Sequence, residues 1–160
     1  EVNLKDAQFV LYRLNGTTKE YVVADSSNKV TGWTENTYDS NLTSKATVFT
    51  TPENGTFTIS GLDAGTYYLE EIKAPAGYNM LKEPIEIVIT ASIDQTGAGT
   101  ATVTYNKTST GDVKVENQTG TELPSTGGIG TTIFYIVGSL LAVGAVILLV
   151  TKKRMGKTEG

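Results

Sequence analysis

The stretch Tyr67-Tyr68-Leu69-Glu70-Glu71-Ile72-Lys73-Ala74-Pro75-Ala76-Gly77-Tyr78 reads as a strand that runs into a turn. Side chains alternate faces along a strand, so Tyr67, Leu69 and Glu71 share one side while Tyr68, Glu70 and Ile72 share the other. If the Leu69 side is the core, Glu71 goes in with it. A carboxylate is costly to bury unless it is protonated or paired, so burial raises its pKa and marks it as a functional candidate. The same spacing also fits a solvated pair of strand-end glutamates, and the residues alone leave both readings open.

Outward from this stretch the same short period recurs. Ala7 to Leu14 alternates with Ala7, Phe9 and Leu11 on one parity, and Asn15-Gly16 ends it as a turn pair. Tyr21 to Ala24 follows as a short strand. A long polar connection comes next, with Trp33 and Tyr38 inside it. Those two aromatics fit a binding surface, or side chains that pack the connection onto the domain, and the second is the expectation. Ala46 to Thr50 and Thr56 to Ser60 flank Glu53-Asn54-Gly55 as a hairpin. Beyond Lys73, strands are expected at Pro84 to Thr90, Thr100 to Tyr105 and Asp112 to Asn117. No stretch before residue 123 has a sustained helical period. Many short strands at regular spacing predict an all-β fold, a Greek-key antiparallel β-sandwich of immunoglobulin-like type, over residues 1–118.

Composition narrows the function. The chain has 160 residues, no Cys, no His and a net charge of -4. Disulfides, thiol nucleophiles, His-based triads and the usual zinc sites are thereby excluded, and no metal or other cofactor is expected. Four of the basic residues, Lys152, Lys153, Arg154 and Lys157, cluster near the end, which leaves the rest more acidic than the whole. Such a surface argues against a nucleic-acid partner. No nucleophile-and-base constellation is legible, so no enzymatic activity is expected. Asn15, Asn41, Asn54, Asn106 and Asn117 each stand two residues before a Thr, which in this Thr-rich chain reads as turn vocabulary rather than glycosylation.

Residues 119–160 are of another kind. A short polar linker, Thr119 to Glu122, leads to Leu123-Pro124-Ser125-Thr126-Gly127, then to an uncharged run from Ile133 to Val150, then to Lys152-Lys153-Arg154. At a rise of about 1.5 Å per residue the run approaches the thickness of a bilayer core as a helix, the one single-segment way to satisfy a backbone in hydrocarbon. A C-terminal transmembrane helix is expected over about 130–151. The basic cluster would stop transfer and keep that end cytoplasmic, with the sandwich outside. Pro124 fixes its own backbone and extends Leu123, which presents the pentapeptide to an enzyme groove. The chain starts at Glu1 with no basic-then-apolar leader, so it is expected to be the C-terminal part of a longer precursor.

The order Leu-Pro-x-Thr-Gly, apolar span, basic tail resembles the cell-wall sorting signal of Gram-positive surface proteins. The resemblance implies that sortase, a membrane transpeptidase, cuts between Thr126 and Gly127 and passes the Thr126 carboxyl to an amine of peptidoglycan or of a neighbouring subunit. The Tyr67 to Tyr78 stretch resembles the E-box of CnaB-like, SpaA-type pilin and adhesin domains, and Gly55-x-Phe57 through Gly61-Leu62 to Gly65-Thr66-Tyr67 is similar to that family's approach to it. In those domains a Glu assists a spontaneous amide bond between a Lys on the first strand and an Asn on the last. The resemblance implies Glu71 as the acid and Asn117 as the acceptor. Val113, Val115 and Asn117 share a strand face, which independently turns that carboxamide inward, although a core Asn is as often a plain hydrogen-bonding group. The donor Lys is expected upstream of Glu1, since Lys5 holds a turn position in the motif.

The expected protein is a non-enzymatic surface protein of the Gram-positive cell wall, the C-terminal domain of a pilin subunit. The alternative is the stalk and anchor of an adhesin whose binding domains, for a host ligand, lie upstream. Polymerising pilins of the family carry a Lys near Tyr-Pro, and that motif is absent here.

Overall fold

In the computed structural model the described residues are 4–39, 44–93, 95, 97–120, 129–138 and 145–153, with side chains described as far as Gly120. The strands are β1 (Gln8–Asn15), β2 (Thr18–Ala24), β3 (Val30–Thr34), β4 (Phe49–Thr50), β5 (Thr56–Leu62), β6 (Gly65–Lys73), β7 (Ile85–Ile93), β8 (Gly99–Tyr105), β9 (Ser109–Thr110), β10 (Val113–Gln118), β11 (Ile129–Gly138) and β12 (Ala145–Lys153). One sheet runs β3-β2-β1-β6-β7-β8-β9 with β4 also on β1, and the other runs β10-β11-β12-β5. The strand ladders are antiparallel. The expected antiparallel β-sandwich is the fold that the chain forms.

The alternation predicted for β6 and β1 sets the two together. Leu11 lies opposite Leu69 and Phe9 opposite Glu71. Phe9, Leu11 and Leu69 have no exposed surface, and with Phe57, Ile59, Ile87, Val113 and Val115 they fill the space between the sheets. Strand β1 is covered on its other face as well. Val10 and Tyr12 are buried there with Tyr21 and Ala46, under Val48, Tyr68 and Ile72. Tyr12 stacks on Tyr68 at 5.2 Å, and Lys19 lies 4.2 Å above the Tyr12 ring while pairing with Glu70.

Three local expectations shift. The β1–β2 turn is Gly16-Thr17, because Asn15 still pairs with Thr18 and Gly16 takes the positive φ of 63° that the first position of a tight type II′ turn requires. Residues Val30–Thr34, placed by sequence in the polar connection, form β3. Its Trp33 stacks on Tyr67 at 5.9 Å, and Arg13 sits 4.0 Å from the Trp33 ring. Trp33 thus packs onto the sandwich as expected, whereas Tyr38 stays 45% exposed. Of the Ala46 to Thr50 strand only Phe49–Thr50 pairs, since the Thr47 N–H goes instead to the Val22 carbonyl. Strand β5 passes through Gly61 at φ 85°, where a side chain would lie 3.4 Å from the Val30 backbone. A contact of that length is ordinary, so it is the positive φ that favours glycine at this position.

In the C-terminal segment the described residues are 129–138 and 145–153. Where a transmembrane helix is expected over about 130–151, the structure draws β11 and β12 as a hairpin between β10 and β5, and no helix among the described residues is long and apolar enough to cross a membrane. Ile, Val and Thr have high strand propensity, and in water open strand edges offer their backbone a ready partner. In hydrocarbon the same backbone is satisfied internally by a helix.

Candidate functional site

Glu71, near the end of β6, points into the core opposite Phe9 and is 4% exposed; Asn117, near the end of β10, is fully buried. The two sheets bring them into contact. The Asn117 Nδ2 donates to Glu71 Oε1 at 2.8 Å and to Oε2 at 2.9 Å, and also to the Asn79 carbonyl at 3.1 Å. The Leu81 N–H donates to Glu71 Oε2 at 2.8 Å. These donors are neutral. The ion pairs among the described residues, Lys5–Glu53, Arg13–Glu20 and Lys19–Glu70, lie elsewhere.

Burial pushes the Glu71 carboxyl above its ordinary value of 4.5, and the bonds from Leu81 and then Asn117 draw it only part of the way back. Its folded pKa being raised, the folded chain holds a proton that the unfolded chain releases just above pH 4.5. Stability contributed by this residue therefore falls as pH rises through that window and levels off above the folded value. Glu71→Gln, neutral at every pH, should remove a slope of at most about 1.4 kcal/mol per pH unit. Urea titrations of both proteins from pH 4 upward check this, and because the other carboxyls are shared, their contributions cancel in the difference. Parallel curves would contradict it.

The loop after β6 completes the site. Beyond Pro75 it turns at Gly77, where φ is 84°, and lies along the end of β10. The Asn79 N–H bonds to the Gln118 carbonyl at 2.8 Å and the Gly120 N–H to the Gly77 carbonyl at 2.9 Å, with Tyr78 and Thr119 bridged antiparallel between them. This clasp holds the Asn79 carbonyl and the Leu81 N–H over the buried pair. In the sequence the E-box resemblance named both side chains, and strand parity allowed both to face inward without deciding Glu71. Sequence reading missed the backbone groups of Asn79 and Leu81, whose only signal is the Pro75 and Gly77 turn that folds the loop back.

Lys5 is not part of the constellation. It is exposed in the turn before β1 and bonds to Glu53 at 2.6 Å. Leu123, Pro124, Ser125, Thr126 and Gly127 lie outside the described residues, as does Arg154, while Lys152 and Lys153 end β12. Among the described residues no group of three or more acidic side chains could hold a metal ion.

A two-sheet antiparallel sandwich with a buried Glu–Asn pair between its sheets and a sorting-type tail defines a class of surface domain, and the comparisons with known proteins agree. Residues 1–109 match the SpaA prealbumin-like fold domain, and the chain belongs to that family. Residues 115–155 match the LPXTG cell wall anchor motif, which places the protein at the Gram-positive cell wall. Among curated proteins it is similar to the "Trypsin-resistant surface T6 protein" of Streptococcus pyogenes, 29% identical over 85% of this chain and 26% of the relative. It is also similar to "Fimbrial subunit type 1" of Actinomyces viscosus, 27% identical over 92% of this chain and 28% of the relative. The chain thus spans little more than a quarter of these relatives. No solved structure matches it.

Proposed function

We propose that the chain is the C-terminal domain and wall anchor of a pilus subunit. The observation that carries this is the succession, in one chain, of the SpaA-domain match over 1–109 and the anchor match over 115–155, with Leu123-Pro124-Ser125-Thr126-Gly127 inside the second. In the exported precursor residues 130–151 cross the membrane as a helix, and so do not occupy the places of β11 and β12 between β10 and β5; Lys152, Lys153 and Arg154 stop its transfer. Sortase breaks the Thr126–Gly127 bond, Gly127 leaves as a free amine, and the Thr126 carbonyl ends in a new amide to peptidoglycan or to a neighbouring subunit. The membrane tether keeps motif and enzyme at high effective concentration.

Within the domain Glu71 and Asn117 are the acid and acceptor of an intramolecular amide. A neutral lysine amine attacks the Asn117 carboxamide carbon, protonated Glu71 donates to the carboxamide oxygen, and ammonia leaves. A half-turn of the Asn117 amide puts its oxygen where Nδ2 now meets Glu71. The burial that keeps Glu71 protonated also favours the neutral amine, so one dry pocket sets both protonation states.

Thr126→Ala tests the sorting reading. The variant should remain in the membrane fraction with its tail attached, whereas the parent is recovered from muralytic digests ending at Thr126. Wall-linked material that retains residues beyond Gly127 would refute the cleavage site.

A further inference from the structure

The clasp fixes where the chain leaves the sandwich. Gly120 is bonded to Gly77, and only Thr121 and Glu122 separate it from Leu123. At about 3.3–3.6 Å per residue, Leu123 lies within roughly 11 Å of Gly120 however the linker runs. An enzyme the size of a small domain, about 30 Å across, cannot close a groove over Leu123 to Gly127 without resting on this end of the sandwich. What it meets there is uneven. Met80 is 53% exposed, while the exposed Leu14 and Ile93 lie at the opposite ends of β1 and β7. Beside Met80 an open depression of about 440 Å³ is lined by Asn79, Met80, Leu81, Lys82, Glu116 and Gln118. Methionine is enriched at protein–protein interfaces, whose rims are polar, so an exposed Met80 with Lys82 and Glu116 beside it is a surface that a protein partner can cover.

We propose that this end, Met80 and Lys82 on the loop with Glu116 of β10, is an exosite for the transpeptidase that cuts at Thr126, so that the folded domain and not the pentapeptide alone is its substrate. The inference rests on the sorting reading above and names the surface through which that enzyme would select this protein. Because the loop is clasped to β10, the exosite and the scissile motif keep a fixed spacing only while the domain is folded. Unfolded chains would then be cut more slowly than folded ones.

The test uses the full chain in lipid vesicles with the purified sortase of the producing cell and triglycine as the amine. Four substrates are compared: the parent, Met80→Asp with Lys82→Glu, the parent with a flexible Gly/Ser spacer of about ten residues after Gly120, and a free peptide of residues 121–128. The double variant should raise KM so that kcat/KM falls about tenfold, toward that of the free peptide, and the spacer should lose part of the same advantage. Equal kcat/KM for parent and double variant would overturn the exosite while leaving sorting intact. If neither the peptide nor any chain is cut between Thr126 and Gly127, the sorting reading itself falls.

Discussion

Mature protein carrying Glu71→Ala or Asn117→Ala is expected to weigh one ammonia more than the parent protein, corrected for the substitution, and to unfold far more easily. Two effects add. The amide bond to Asn117 would close a loop of more than 100 residues, and loop-entropy reasoning taken over from disulfides puts that near 4–5 kcal/mol. The local loss comes on top. Without the Glu71 carboxyl, the Leu81 N–H loses its 2.8 Å partner and Asn117 two of its bonds, at about 1–3 kcal/mol for buried groups left unsatisfied. Intact-mass spectrometry reads the first effect and thermal unfolding the sum. The 160-residue chain itself should show its full mass, because Lys5 is held by Glu53 in an exposed turn, and its variants should lose only the local part. An ammonia deficit in that chain that vanished in Lys5→Ala would move the donor to Lys5. Full mass in the mature parent protein would remove the cross-link altogether.

Phe9→Ala should be the most damaging change in the apolar core, with a loss of about 3–5 kcal/mol. Phe9 has no exposed surface, packs against Phe57 at 6.4 Å between ring centres, and stands opposite Glu71 in the β1–β6 ladder. Its removal opens a cavity beside the carboxyl, and water entering there should lower the Glu71 pKa toward its ordinary value. The denaturation midpoint reads the stability, and a carbon-detected titration of Glu71 reads the second consequence. A loss below 1 kcal/mol would mean that the core is not organised around this ring.

The candidate site was legible in the sequence where it depends on side-chain parity. Leu69 and Glu71 are two apart, as are Val115 and Asn117, so parity let each polar group follow its apolar neighbour inward, while the choice between a buried and a solvated Glu71 rested on the E-box resemblance. Strand β3 was not legible, because Val30–Thr34 lies in a polar run and becomes a strand by pairing with β2. The β1–β2 turn was misplaced by one residue because Asn-Gly, read as a pair, hides the fact that Gly16 can lead the turn with Thr17 second. The clasp was invisible for another reason: its bonds at Gly77, Asn79, Gln118 and Gly120 are made by backbone groups, which every sequence has. The tail shows the limit from the other side. Its apolar run states that the segment avoids water, and the surrounding solvent decides whether a helix or strand pairing achieves that.

The clasp also has a mechanical meaning. If the chain is a pilus subunit fixed to the wall at Thr126, drag on the outer parts of the pilus would enter this domain at Gly120 and meet the Gly77 and Asn79 bonds before it reached Asn117. Those bonds are few and re-form readily, so under a sudden pull they would yield first and pay out a short length of slack, then take it up again when the load falls. While they hold they keep the load off the buried Glu71–Asn117 pair behind them, and once they have yielded that pair carries the full tension. The loop would thus serve the wall end of the fibre as a spring with a short stroke, set in series ahead of a joint that does not move.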